Sequence, residues 1–170
     1  TLPTQEAMLD QAGVVMESFE TILPPSDIGH LIRNLIDAVP RDSSPTLTRA
    51  KLRALKDFVS GKLFNNEETR SLILSIASKQ LAYHLTKRDE LKLCAEVLGE
   101  ILIHLNDSKK KDEENIDMEI SDLCRNVLGV LTETVMIILT ASPNVLSKLI
   151  AVLLGLLELM EEQHYQRILD

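Results

Sequence analysis

Apolar residues recur at intervals of three and four positions along most of this chain. That spacing places them on one face of an α-helix, and the alternation expected of a half-buried β-strand is not sustained anywhere. The pattern predicts a succession of helices joined by short connections. They cover about Thr4–Leu23, Ser26–Val39, Leu47–Val59, Asn65–Leu85, a segment that starts near Asp89, Ile116–Leu139 and Ser142–Met160.

Residues that favour helix ends lie between these segments. Helix stops are predicted at Pro24-Pro25, Pro40 and Gly61. Helix starts are predicted at Ser26, at Asn65 with Glu68 as a capping box, and at Ser142 followed by Pro143. On the first helix, one apolar stripe is expected to face the core, formed by Met8, Ala12, Val15, Phe19 and Ile22.

The spacing of the helix starts predicts a repeat architecture. Starts near Thr46, Asp89 and Ser142 are about forty to fifty residues apart, which is roughly the period of HEAT and armadillo repeats. We therefore expect an all-α fold in which antiparallel helix pairs stack as an armadillo/HEAT-like right-handed solenoid segment. Residues 1–170 would form one such segment, and a compact helical bundle is the alternative.

Residues 107–115, DSKKKDEEN, are the longest charged run in the chain. No apolar residue interrupts them, so the run predicts an exposed, mobile loop and a weak internal division of the segment. A docking or regulatory role is the functional alternative to simple solvation.

Composition narrows the possible functions. Hydrophobic residues make up 45% of the chain while aromatic residues make up 3%, which predicts an aliphatic core suited to helix-on-helix packing. The net charge of -8 repels phosphate groups and anionic lipids, so nucleic acid is not an expected partner. The most apolar stretch, Val145–Met160, is too short to span a bilayer, so direct membrane insertion is not expected either.

Candidate chemistry is sparse. Glu100 and His104 share a helix face at a spacing of four, which leaves a small helical metal enzyme as one alternative, although a metal would need further ligands. His84 lies near a predicted helix end, where an imidazole commonly stabilises the helix terminus. Cys94 and Cys124 fall among Leu, Val and Ile at core spacing and are predicted to be packing residues.

The glycines are isolated, so no phosphate-binding loop is predicted. Gly99, Gly129 and Gly155 fall within helical patterns and indicate either close helix approach or no special role. We expect no catalytic residue, no cofactor and no metal. The chain lacks an initiator Met and is expected to be a fragment of a larger protein.

Four segments resemble, in the same order, the central helical region of the dedicator of cytokinesis (DOCK) family. They are KLRALKDFVSGKLF (Lys51–Phe64), KQLAYHL (Lys79–Leu85), ELKLCAEVLGEIL (Glu90–Leu102) and LELMEEQHYQRIL (Leu157–Leu169). The acidic pair before His164-Tyr165 is the most specific mark. Thr21–Pro40 is similar to the preceding helix pair of the family more loosely, and 107–115 and 126–134 depart from the family pattern.

This resemblance implies a fragment of a large cytoplasmic guanine nucleotide exchange factor for Rho-family GTPases, most like the Rac-directed subgroup that works with ELMO-type adaptors. In that family a C2-like module binds phosphoinositides and a downstream module catalyses exchange, and armadillo-like helices lie between them. The segment itself would then be a non-catalytic scaffold that positions these modules and offers a protein-binding or dimer surface. An unrelated helical adaptor is the alternative.

Overall fold

The computed structural model describes residues 2–139 and 143–169, and every regular element in these ranges is helical. The helices are α1 (Leu2–Ser18), α2 (Pro25–Asp37), α3 (Pro45–Ser60), α4 (Glu67–Lys87), α5 (Leu91–Lys110), α6 (Ile116–Ile138), α7 (Pro143–Leu159) and α8 (Glu162–Leu169). Single 3-10 turns follow α1 at Phe19–Thr21 and α3 at Lys62–Asn65. The all-α class predicted from the sequence is confirmed. Helix α8 was not predicted.

Two of the predicted helix caps are wrong by one or two residues. The cap of α2 is Pro24, and Ser26 lies inside the helix, because Pro25 already has the φ angle of a first helical residue. Asn65 belongs to a 3-10 turn, so Asn66 caps α4 instead, accepting the Thr69 N–H through Oδ1 at 3.2 Å. Gly61 does end α3, as predicted. Ser142 lies outside the described residues.

Contacts divide the chain into two compact units, Thr1–Ile76 and Ala77–Asp170. The weak division expected at 107–115 lies within the second unit and stays a prediction. Each unit is described on its own below.

In the first unit α1 packs along α3 in the same direction. Asp10 Oδ1 lies 3.2 Å from Arg53 NH2, at a separation of 43 residues in the sequence. Toward the C-terminal ends of both helices, Glu17 Oε1 accepts the Lys62 N–H at 2.9 Å, at a separation of 45 residues. Contacts at nearly constant separation require the two helices to be parallel, with α2 connecting them.

The second unit repeats this arrangement in two layers. Lys148 lies 3.7 Å from Glu96 near the starts of α7 and α5, and Lys109 donates to the Leu159 carbonyl near their ends. These two contacts make α5 and α7 parallel neighbours. Helix α6 runs back between the end of α5 and the start of α7, so it is antiparallel to both and packs with α8. Such alternation is the stacking of helix-pair repeats.

The charged run does not form the loop expected from its composition. Helix α5 continues to Lys110, so Asp107 to Lys110 are helical and only a short turn separates α5 from α6. Ser108 is buried, and Lys109 reaches the end of α7. Lysines in a last helical turn are favoured by the helix dipole, which explains why the helix continues into the run.

Of the apolar stripe predicted for α1, only Ala12 is confirmed as buried. The buried positions are Leu9, Ala12 and Met16, whereas Met8, Val15 and Ile22 are exposed. The two stripes lie side by side on α1, and the sequence pattern alone did not say which one meets the core. Elsewhere the core is aliphatic as predicted, and both cysteines are buried in it.

Candidate interaction surface and helix corners

Glu100 and His104 lie on α5, and each is only partly buried. Within 2–139 and 143–169, no three His, Cys, Asp or Glu side chains are grouped closely enough to hold a metal ion. Nothing in these ranges therefore supports the metal-enzyme alternative. None of the helices in the same ranges is both long and apolar enough to cross a bilayer.

The turn between α4 and α5 is fastened by His84. Its fully buried imidazole places Nδ1 2.7 Å from Asp89 Oδ1, and the Asp89 N–H donates to the His84 carbonyl at 3.2 Å. Arg88 and Glu90 have φ angles of 58° and 47°, the left-handed region that few non-glycine residues adopt. The histidine and aspartate hold this tight turn between two helices.

The corner between α7 and α8 is fastened by His164. Its buried Nδ1 accepts the Glu161 N–H at 2.7 Å, while Nε2 lies 3.2 Å from Asp117 Oδ1 on α6. Glu161 precedes the first residue of α8, and His164 is the third residue of that helix. This is the geometry of a capping box, in which the third helical residue accepts the N–H of the cap residue.

Lys109 joins α5 to the same corner. Its Nζ donates to the Leu159 carbonyl at 2.7 Å and lies 2.8 Å from Glu161 Oε1. The Leu159 carbonyl belongs to the last turn of α7, where carbonyl oxygens lack partners within the helix. The acidic residue singled out in the sequence, Glu161, is thus an anchor between helices.

Neither cysteine has the environment of a nucleophile. Burial raises the pKa of the Cys124 thiol to about 12. Burial also raises the pKa of Cys94, and the nearby carboxylates of Asp89 and Glu90 raise it further. Since the thiolate is the reactive form, both side chains act as apolar packing groups.

The second unit contains a shallow groove between α5 and α7. It has a volume of about 190 Å³ and is lined by residues that include Ile103, Asn106 and Glu158. A Cβ on Gly155 would lie 3.3 Å from Leu102 Cδ1, so this glycine permits close approach of the two helices. Gly99 and Gly129 have no such neighbour within 4 Å, so close approach does not explain them.

A larger groove lies on the first unit, between α1 and α2. Its volume is about 400 Å³, and its lining includes Ala7, Met8, Gln11, Val15, Met16 and Leu35. Met8 is 60% exposed and Val15 is 45% exposed, although both are large apolar residues. Leu31, on the adjacent helix α2, is partly exposed as well. We call this surface, Met8 and Val15 with the lining around them, the α1 groove.

Comparison with known proteins gives one consistent result. The family model described as the dedicator of cytokinesis (DOCK) TPR region matches residues 1–170. Dedicator of cytokinesis protein 4 of Homo sapiens is 26% identical over 183 residues. Dedicator of cytokinesis protein 3 of Mus musculus is 22% identical over 182 residues. In both cases the match covers 98% of this chain and 9% of the relative, and no solved structure matches.

Proposed function

This chain belongs to the dedicator of cytokinesis family, whose TPR region it matches throughout, and we propose that it is a non-catalytic helical scaffold of a Rac-directed guanine nucleotide exchange factor. The family membership confirms the resemblance seen in the sequence and overturns the alternative of an unrelated adaptor. Within the family, we propose from the sequence resemblance that the chain is like myoblast city, an invertebrate member.

The observation that carries this proposal is the parallel stacking of alternate helices by contacts at their two ends. The axes of packed helices lie about 8–10 Å apart. Each pair of stacked helices therefore adds a fixed distance between the protein modules on either side of it. His84 and His164 stabilise the turns at which they lie, and the thiols of both cysteines are buried. Polar contacts that hold the turns between helices suit a rigid spacer, whereas an exchange catalyst would need a surface that binds its GTPase.

The spacing of the stacked helices favours armadillo-like over tetratricopeptide geometry. Contacts between parallel neighbours join residues 43 and 45 apart in the first unit, and 46, 50 and 52 apart in the second. Tetratricopeptide repeats have a period of about 34 residues, whereas HEAT and armadillo repeats have about 40–47. We infer that each unit, taken by itself, has the helix spacing of armadillo-like repeats.

For the parent protein we propose Rac as the GTPase and an ELMO-type adaptor as a partner. The chain spans only 9% of the curated relatives it matches, so these partners concern the whole protein. We further propose that the parent is cytoplasmic and recruited to the plasma membrane, and that the segment offers a surface for protein partners or dimer formation. Roles in cell migration, phagocytosis and myoblast fusion would follow from Rac activation.

An exchange assay separates a spacer from a catalyst. Release of a fluorescent GDP analogue from Rac should be no faster with the purified segment than with buffer. In the full-length protein, deletion of the segment should reduce exchange in cells, and an unrelated helical-repeat spacer of similar length should restore most of it. Exchange by the isolated segment, or failure of every length-matched spacer, would remove the proposal.

A further inference from the structure

Helix α1 carries two apolar faces, of which one packs into the first unit. Leu9, Ala12 and Met16 are buried, while Met8 and Val15 on the neighbouring stripe are largely exposed. An ordinary surface helix has one apolar stripe and a polar opposite side. A second apolar stripe is typical of a helix that is packed between neighbours.

The exposed stripe points away from α3. Asp10 and Gly13 lie against α3, and Glu17 contacts the 3-10 turn that follows α3. With 3.6 residues per turn, Met8 and Val15 lie roughly 160° around the helix from these three positions. A helix seated on the α1 groove would therefore continue the row that α3 and α1 begin.

The α1 groove is also free of charge. Its lining contains apolar side chains together with Thr4 and Gln11 and no ionisable group. The acidic side chains that make described contacts from α1, Asp10 and Glu17, are used on the α3 side. An uncharged, concave apolar surface fits the apolar face of another helix, and a charged peptide would leave its ionic groups without partners there.

We propose that the α1 groove seats a helix from the part of the longer polypeptide that precedes this segment. The proposal rests on the proposed function, because it treats the first unit as part of a stack of helical repeats. Two observations favour this occupant: the curated relatives are far longer than the chain, and contacts between parallel neighbours in each unit join residues some 43 to 52 positions apart in sequence. The seated helix would run parallel to α1, as α3 does.

Crosslinking from Val15 identifies the occupant. The full-length protein is prepared with p-benzoylphenylalanine at Val15, irradiated, digested and analysed by mass spectrometry. The expected product joins α1 to a peptide from the roughly 60 residues before it, a reach of one repeat period and a turn. A crosslink to a distant part of the chain, or to α1 of a second copy, overturns the proposal.

Hydrogen exchange tests whether the seat stabilises α1. Val15→Glu should speed amide exchange in α1 by about tenfold or more in the full-length protein, and by less than about twofold in the isolated segment. Val14→Glu is the matched control, because Val14 is 71% exposed and does not line the groove. Equal effects of the two variants, or an equal effect of Val15→Glu in both proteins, would contradict the proposal.

The two proposals can fail separately. Exchange activity in the isolated segment would remove the scaffold function without changing the crosslink from Val15. A crosslink to another region would remove the seated helix and leave the scaffold function standing.

Discussion

The imidazole of His164 accepts the backbone N–H of Glu161 at 2.7 Å. The other ring nitrogen, Nε2, lies 3.2 Å from Asp117 Oδ1 on α6. His164 thus caps the first turn of α8 and packs its ring against Asp117, while Gln163 Nε2 donates to Asp117 Oδ2 at 2.9 Å and links α8 to α6. The acidic pair before His164-Tyr165, which resembles the DOCK family sequence, therefore lies at the cap of α8.

His164→Ala should lower the free energy of unfolding by about 2 kcal/mol, because it removes a cap and a fully buried ring. His164→Gln should lose less, since Gln at the third helical position can still accept the Glu161 N–H. Urea unfolding of both variants measures the difference. Equal losses for Ala and Gln would mean that packing, and not the hydrogen bond, accounts for the role of His164.

Three glycines within helices offer an internal comparison in the second unit. Gly99→Ala and Gly129→Ala should each stabilise the protein by roughly 0.5–1 kcal/mol, because the added Cβ meets nothing within 4 Å and the helix propensity of Ala is higher. Gly155→Ala should gain little or nothing, because its Cβ would press on Leu102 Cδ1. Thermal unfolding ranks the three, and an equal gain at Gly155 would show that Leu102 moves aside freely.

The predicted helices follow from local rules that act over a few residues. Gly61 ended α3 as predicted, whereas α1 ends at Ser18 and α2 at Asp37, before the prolines that were expected to stop them. Apolar spacing identified most of the core. The stripe of α1 could not be assigned, because Met8 and Leu9 are equally apolar and only the position of α3 decides between them. Lys51 and Arg70 are fully buried, contrary to the usual exposure of cations, and no local pattern announces that.

The polar fastenings were missed for a related reason. A capping box is usually recognised by Glu or Gln at the third helical position, so the His at position 164 escaped notice. The contacts of Lys109 join residues 50 positions apart, and a charged run gives no sign of such a partner. Both were visible in the sequence only as features of composition or family likeness.

The two thiols should be unreactive in the folded protein. With its pKa near 12 instead of the usual 9.0, Cys124 holds roughly a thousandth of the thiolate of a free cysteine at pH 8. Ellman's reagent at that pH should label neither cysteine until the protein is unfolded. The variant Cys124→Ser leaves Cys94 as the single reporter, and rapid labelling of the native form of that variant would contradict the burial of Cys94.

The same raised pKa values predict a loss of stability in alkali. Above pH 9 the unfolded chain releases thiol protons that the folded protein retains, so the folded state binds more protons and stability falls as pH rises. Replacing both cysteines by alanine should flatten this part of the stability profile. Urea unfolding at a series of pH values from 8 to 11 measures it, and an unchanged slope in the double variant would assign the loss to other groups.

Asp57 should weaken the fold slightly at neutral pH. Partial burial raises its carboxyl pKa above the usual 3.8 and nearby Asp10 adds to the rise, while Lys56 and Arg53 oppose it. The folded state therefore favours the protonated form, and the contribution of Asp57 to stability falls as pH rises from about 3.8 through the raised pKa. Asp57→Asn should then stabilise the protein at pH 7 by less than about 1 kcal/mol, since the side chain is largely exposed. The gain should vanish at pH 3, and a gain of the same size at both pH values would assign it to another cause.

Lys109 and Lys110 are neighbours in the last turn of α5, but their side chains have different environments. Lys109 donates to the Leu159 carbonyl and pairs with Glu161, whereas Lys110 is exposed. Lys109→Met should lower the free energy of unfolding by about 1–2 kcal/mol, because a charged hydrogen bond to an otherwise unpaired carbonyl is lost. Lys110→Met should change it by less than about 0.5 kcal/mol, the size of a dipole interaction at an exposed site. Hydrogen exchange should also accelerate at the end of α7 and in α8 for the first variant only. If Lys109→Met and Lys110→Met changed the free energy of unfolding equally, the contacts of Lys109 would not contribute to stability, and the charged run would act only as a solvated segment.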